Sequence, residues 1–232
     1  MLQLRFELVE FDRPPADGCS SFAIVDGAHR FSGQNVDAPV WHKESGCVLE
    51  IRQPDGPDLL FYSYYPGMIG YVGINSAGLS VFGNAVLSPG WRVGFPRYLA
   101  VRLALEQETV ADVSRVVSSL ERASTINLLV TDSSNDMLDL ELDIEEVGRV
   151  YPENNRLFHT NHYCDPALTE REALLPLLPD SLPRLQRGSD VLNQLQLDAN
   201  ATSAFDQVRQ ILSDHADGAS SICRHRAEKS AY

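Results

Sequence analysis

A chain of 232 residues with 44% hydrophobic and 22% charged side chains is long enough, and apolar enough, to bury one domain-sized core. Its formal net charge of −13, from 19 basic and 32 acidic residues, repels phosphate backbones and argues against a nucleic-acid partner. No run approaches the ~18 apolar residues that read as a membrane span. The opening "MLQLRFELVEFDRPP" carries charges throughout, so no membrane and no export signal are expected, and a cytoplasmic protein is.

From Ser20 to about Asn84 short β-rich runs alternate with turn signals. "SSFAIV", "GCVLEIRQ", "LLFYSYY", "IGYVGIN" and "GLSVFGN" are rich in Val, Ile, Phe and Tyr, and "DGAH", "PDGPD" and "SAG" punctuate them. "IGYVGINSAGLSVFGNAV" predicts a hairpin turning at Asn75-Ser76-Ala77-Gly78. The period then changes. "PRYLAVRLALEQ" predicts a helix, and Thr109 is a plausible N-cap for a second in "TVADVSRVVSSLERA". Strands return in "INLLVTD", "DMLDLELD" and "RLFHTN". The last third reads helical in "ALTEREALLPLL", "GSDVLNQLQL" and "TSAFDQVRQILSDH", the first broken up by Pro176, Pro179 and Pro183. Strands, two helices, strands, helices in that order describe a layered α/β or α+β domain with a mostly antiparallel sheet, not a doubly wound one.

The four cysteines, Cys19, Cys47, Cys164 and Cys223, form no Cys-x-x-Cys pair, so neither a metal finger nor a disulfide framework is expected. Each is either a small core residue or a reactive thiol. Cys19 stands apart because it follows Asp17-Gly18 at the edge between a turn and a strand. A cysteine becomes a nucleophile beside a base, and a chain-terminal cysteine carries that base as its own α-amine, with a pKa near ~8. Gly18 would leave a scissile bond before Cys19 unhindered. The ordinary alternative is a turn-edge core thiol.

In "GQNVD", a hairpin of "SSFAIV" and "HRFSG" returns Asp37 to the start of the first strand, where its carboxylate could hold an ammonium; otherwise it is a turn aspartate. "HTNHYCD", His159 to Asp165, is the densest polar cluster. His159 and His162, three apart, face opposite sides of a strand, which argues against a metal. Asn161 could donate to a developing oxyanion. In "SSICRHR", Arg224 could bind a carboxylate or belong to a solvated basic patch. A papain-like pairing of Cys19 with His159 or His162 has suggestive spacing but lacks the Cys-Gly-Ser-Cys-aromatic signature.

"DGCSSFAI", "GQNVD", "PGMIGYVGINSAGLSVFGNAV", "TNHY" and "SDH…SSICRH", in this order from about Leu4 to Arg226, resemble the acyl-coenzyme A:6-aminopenicillanate (isopenicillin N) acyltransferase-like family, a branch of the N-terminal-nucleophile hydrolases. The resemblance implies an α+β, four-layer αββα sandwich and a precursor cut between Gly18 and Cys19. By it Cys19 is nucleophile and base, Asp37 binds the freed amine, Asn161 is an oxyanion donor, Asn84 a second polar donor and Arg224 the site arginine. The implied chemistry is acyl transfer through a Cys19 thioester, from a small acyl-amide or acyl-coenzyme A to water or an amine. No metal or bound cofactor is required, coenzyme A being a substrate; a homo-oligomer stays open. Three departures stand out: Ala38 where the family carries a large aromatic, a short N-terminus, and an end at "SICRHRAEKSAY". They lead to the expectation of a pro-segment remnant at 1–18 and a domain at 19–232 whose sandwich is incomplete at both ends. A catalytically inactive shortened member is the alternative.

Overall fold

Strand β1, Cys19–Asp26, is buried along its first six residues, as a strand covered on both faces must be. In the computed structural model, which describes residues 18–37, 42–64 and 67–225, β1 is the middle strand of a small antiparallel sheet. Its neighbours are β2, His29–Val36, and β10, Arg156–His159. A second antiparallel sheet runs in chain order through β3 (Cys47–Ile51), β4 (Leu59–Ser63), β5 (Gly73–Asn75), β6 (Ser80–Asn84), β7 (Ile126–Thr131), β8 (Met137–Leu142) and β9 (Val147–Val150). A single helical turn, His42–Ser45, precedes β3.

The sheets face each other through Ala23 and Leu157 of the small sheet and Leu129 and Met137 of the large one. Helices α1, Arg97–Leu105, and α2, Val110–Ser118, cover the outer face of the large sheet, with Val101, Leu105, Val113 and Val117 packed over Leu128 and Leu140. Helices α3, Ser181–Gln194, and α4, Ala201–Leu212, cover the small sheet, where Leu192, Val208 and Ile211 meet Phe22, Ile24 and Phe158. The layers run helix, sheet, sheet, helix.

Most local expectations hold. Asn75 closes the β5–β6 turn by accepting from the amides of Ala77 at 3.0 Å and Leu79 at 3.1 Å. Thr109 caps α2 by accepting from the Asp112 amide at 3.1 Å. The segment "ALTEREALLPLL" is different: only Thr169–Arg171 makes a 3-10 turn. The Glu172 carboxylate takes the amides of Leu174 and Leu175, at 2.6 and 2.8 Å, which a helix would have needed for itself. Helix α3 starts earlier than the sequence suggested, at Ser181, because Pro183 falls in its first turn, where a missing N–H costs nothing. Strand β9 was not foreseen.

Candidate active site

The site forms where five chain segments meet: the start of β1, the ends of β2 and β6, the turn after β10, and the first turn of α3. The β1–β2 register pairs Cys19 with Val36, which sets Asp37 beside Gly18. The Asp37 amide donates to the Gly18 carbonyl at 2.8 Å. The Cys19 amide donates to Asn161 Oδ1 at 2.7 Å. Both sides of the Gly18–Cys19 peptide are thus held by residues singled out in the sequence.

Around this peptide runs a chain of charges. Arg184, fully buried on α3, donates to the Cys19 carbonyl at 2.5 Å, to Ser20 Oγ at 3.1 Å and to Asn161 Oδ1 at 2.9 Å. Asp180 accepts from Arg184 at 2.8 Å and from Arg224 at 2.7 Å. Arg224 also donates from two nitrogens to one Asp37 oxygen. A buried arginine costs several kcal/mol unless its donors are matched, and this one has a partner at each of its three nitrogens. The buried face of α3, Ser181, Arg184, Gly188 and Leu192, explains the placement. Spacings of three and four put the first two on the site and the last two on the core. Gly18 sits hard against both guanidinium groups: a Cβ there would lie 2.5 Å from Arg224 Nη2 and 2.6 Å from Arg184 Nη2.

Burial pushes the Cys19 thiol up to about 11, against the pull of the Ala85 amide, the Arg184 charge and Asn161; Asp37 adds to the rise. In the intact chain it is therefore a protonated thiol at neutral pH. The Ala85 main chain is engaged twice, its amide on the thiol and its carbonyl accepting from Asn161 Nδ2 at 2.9 Å. Asn84, expected to offer its side chain here, directs it elsewhere: Oδ1 accepts from Ser21 at 2.7 Å and Nδ2 donates to the His159 carbonyl at 3.4 Å. The donor facing the sulfur is the next main-chain amide.

The histidines serve the scaffold. His159 Nδ1 meets the Thr160 carbonyl at 3.0 Å and Nε2 meets Glu141 Oε1 at 2.8 Å; both partners only accept, so both nitrogens donate and the ring is charged. Burial opposes that charge, but Asp139, Cys164 and Glu141 outweigh it and hold His159 well above its ordinary value. His162 lies 2.8 Å from Ser181 Oγ, which accepts from the Asn161 amide at 2.7 Å. Burial and the charge on His159 bring His162 down to about 4, so it is neutral. Neither ring hydrogen-bonds Cys19, and the papain-like pairing is not what the geometry provides.

Sequence reading named Cys19, Asp37, Asn161 and Arg224, which the structure gathers. It missed Arg184, Asp180 and the Ala85 amide. An Asp180–Arg184 pair at helical spacing was the available signal; a main-chain donor leaves none. Ala38 lies outside the described residues, as do 1–17.

Two apposed antiparallel sheets between helix pairs, with a cysteine opening a central strand, define the α+β sandwich of the N-terminal-nucleophile hydrolases. The profile of the family described as acyl-coenzyme A:6-aminopenicillanic acid acyl-transferase matches residues 25–232, and the chain belongs to that family. It is 31% identical over 195 residues to the 40 kDa form of acyl-coenzyme A:6-aminopenicillanic-acid-acyltransferase of Emericella nidulans, covering 83% of this chain and 54% of that protein. The chain thus spans about half the length of this curated relative. Among solved structures, the N-acylethanolamine-hydrolyzing acid amidase ortholog of Caenorhabditis elegans shares the fold, with a TM-score of 0.55 at 16% identity over 84% of this chain and 86% of that one. Penicillin V acylase from Agrobacterium tumefaciens matches at a TM-score of 0.45 and 14% identity, over 85% of this chain and 63% of the other. Among the described residues, no helix is long and apolar enough to cross a membrane.

Proposed function

We propose that this chain is a self-processing cysteine amidohydrolase or acyltransferase, acting on amide C–N bonds or acyl thioesters through an acyl group carried on Cys19. The observation that supports it best is the double hold on the Gly18–Cys19 peptide, by Asp37 N–H on one side and Asn161 Oδ1 on the other. In processing, Cys19 Sγ attacks the Gly18 carbonyl carbon, and the developing oxyanion keeps the Asp37 N–H as its donor. The C–N bond breaks, the nitrogen takes the thiol proton, and water hydrolyses the Gly18 thioester, returning a proton to sulfur. Residues 1–18 are then the pro-segment and 19–232 the enzyme.

The freed amine is the base that the buried thiol lacks. It takes the thiol proton as sulfur attacks the substrate carbonyl, so no standing thiolate is needed. Asn161 Oδ1 orients this amine, the nearby Arg184 charge keeps it unprotonated, and Asp37, held by Arg224, limits that effect. The Ala85 amide, with Asn161 Nδ2, meets the substrate oxyanion. The leaving amine or coenzyme A departs with the proton, and water or another amine takes the acyl group. Tyr64, Met68, Tyr71 and Tyr98 form a buried, largely aromatic cluster, and Tyr71 donates to the Gly83 carbonyl at 3.4 Å, two residues before the Ala85 amide. This cluster favours an apolar or aromatic acyl group.

The test is to mix purified protein with a panel of aromatic and aliphatic acyl-amides and acyl-coenzyme A thioesters, quench, and map the adducts by mass. An acyl group on the peptide beginning at Cys19, absent from Cys19→Ala, is the expected result. No adduct with any member, an adduct on another cysteine, or undiminished turnover by Cys19→Ala would refute the reading.

A further inference from the structure

Behind the active site, the loop after α4 folds back on itself. The Cys223 amide donates to the Asp214 carbonyl at 2.9 Å, and the Asp217 amide to Ser221 Oγ at 3.1 Å. This fold-back brings three soft donors to one point: His215 Nε2, Cys223 Sγ and His225 Nε2 all lie within 4.8 Å of one another. His215 Nε2 is 2.9 Å from His225 Nε2, and Cys223 Sγ is 3.6 Å from the same nitrogen. The two rings are close to parallel, at 15°, with centroids 5.1 Å apart.

The geometry points to a site for a borderline transition-metal ion, of the zinc class, held by His215, Cys223 and His225. Metal–nitrogen bonds of about 2.05 Å and metal–sulfur bonds of about 2.3 Å at tetrahedral angles put ligand nitrogens about 3.3 Å apart and nitrogen and sulfur about 3.6 Å apart. The Cys223–His225 separation is already that value, and the imidazole nitrogens need to part by only about 0.4 Å. Two imidazoles and a thiol suit zinc, copper or nickel over the hard cations. Both histidines are exposed and Cys223 is half-buried, so the ion can enter from solvent and water can complete its shell.

A second constellation, Glu141, His159 and Cys164, is also within reach of a single ion. There the donors are already engaged. The two Glu141 oxygens accept from the amides of Cys164 and Asp165 at 2.6 and 3.0 Å, and one of them from His159 as well. At the loop site the three donor atoms meet one another, and among the described residues no carboxylate or main-chain amide claims them. Arg224, which holds Asp37 and Asp180, stands between two of the proposed ligands. The ion would therefore fasten the segment that delivers Arg224 to the site. The proposal does not depend on the chemistry of Cys19.

The experiment is metal binding to the purified chain, Zn²⁺ by equilibrium dialysis and Co²⁺ by its thiolate charge-transfer absorption. The wild type should take up one ion per chain and show the band. Cys223→Ser should lose the band and Cys164→Ser should keep it. His215→Ala or His225→Ala, replacements at exposed positions, should weaken binding by more than the roughly 10- to 100-fold that loss of an outer-shell partner costs. A wild type that retains no ion, a band that survives Cys223→Ser, or one that vanishes with Cys164→Ser would overturn the assignment.

Discussion

His162 shows how one buried side chain sets a pH limit on the site. Its folded-state value, lowered to about 4, lies below the ordinary 6.5. A lowered value means that its contribution to stability is complete above about 6.5 and is lost as pH falls through about 4. A gap of that size corresponds to on the order of 3 kcal/mol. Asp139 works in the opposite sense: burial raises it to about 6, so its protonation favours the fold as the pH drops. Comparing wild type with His162→Gln isolates the histidine, because Asp139 is present in both. Urea unfolding at neutral pH and near pH 4 should show the wild type losing more stability than the variant, and equal losses would refute the assignment. The sequence marked "HTNHYCD" as dense in polar groups but could not tell the neutral ring from the charged one. That distinction comes from Glu141 and Asp139, about twenty residues away on β8. Arg184 escaped notice for a related reason. An arginine directly after a proline reads as solvated until the fold buries it.

Helix α3 carries the site and the core on one face, and Gly188 is the point where they trade. A Cβ at Gly188 would lie 2.1 Å from Phe158 Cζ and 2.2 Å from Cε1. Gly→Ala inside a helix normally gains about 1 kcal/mol. Here the helix or the ring must move, and overpacking costs about 1–3 kcal/mol. Gly188→Ala is expected to destabilise the protein in urea unfolding and to shift Arg184 away from Cys19. A more stable Gly188→Ala would mean that α3 is not seated this closely. Elements with strong local signals were legible: the Asn75 turn, the Thr109 cap and the alternating strands. The segment from Leu168 to Asp180 was not, because Glu172 claims its amides in a way that periodicity does not reveal.

At the scale of the whole molecule, the order of elements was enough to give a layered domain with antiparallel pairing, though not its four layers. It could not give the pairing of β1 with β10, which joins Phe22 to Phe158 across more than half the chain. That pairing delivers Asn161 to Cys19. The family resemblance supplied in advance what composition and spacing could not, and the register of the small sheet supplies its physical basis. Asp37, Asp180, Arg184 and Arg224 then balance two negative against two positive charges around one peptide bond. The central claim is that this bond is broken by its own cysteine. The most direct test is the intact mass of the purified chain beside that of Cys19→Ala. The account predicts a wild type that has lost residues 1–18, or is parted there into two pieces, and a variant that keeps the Gly18–Cys19 bond. A wild type at full mass with that bond intact, or a variant cut at the same place, would contradict it.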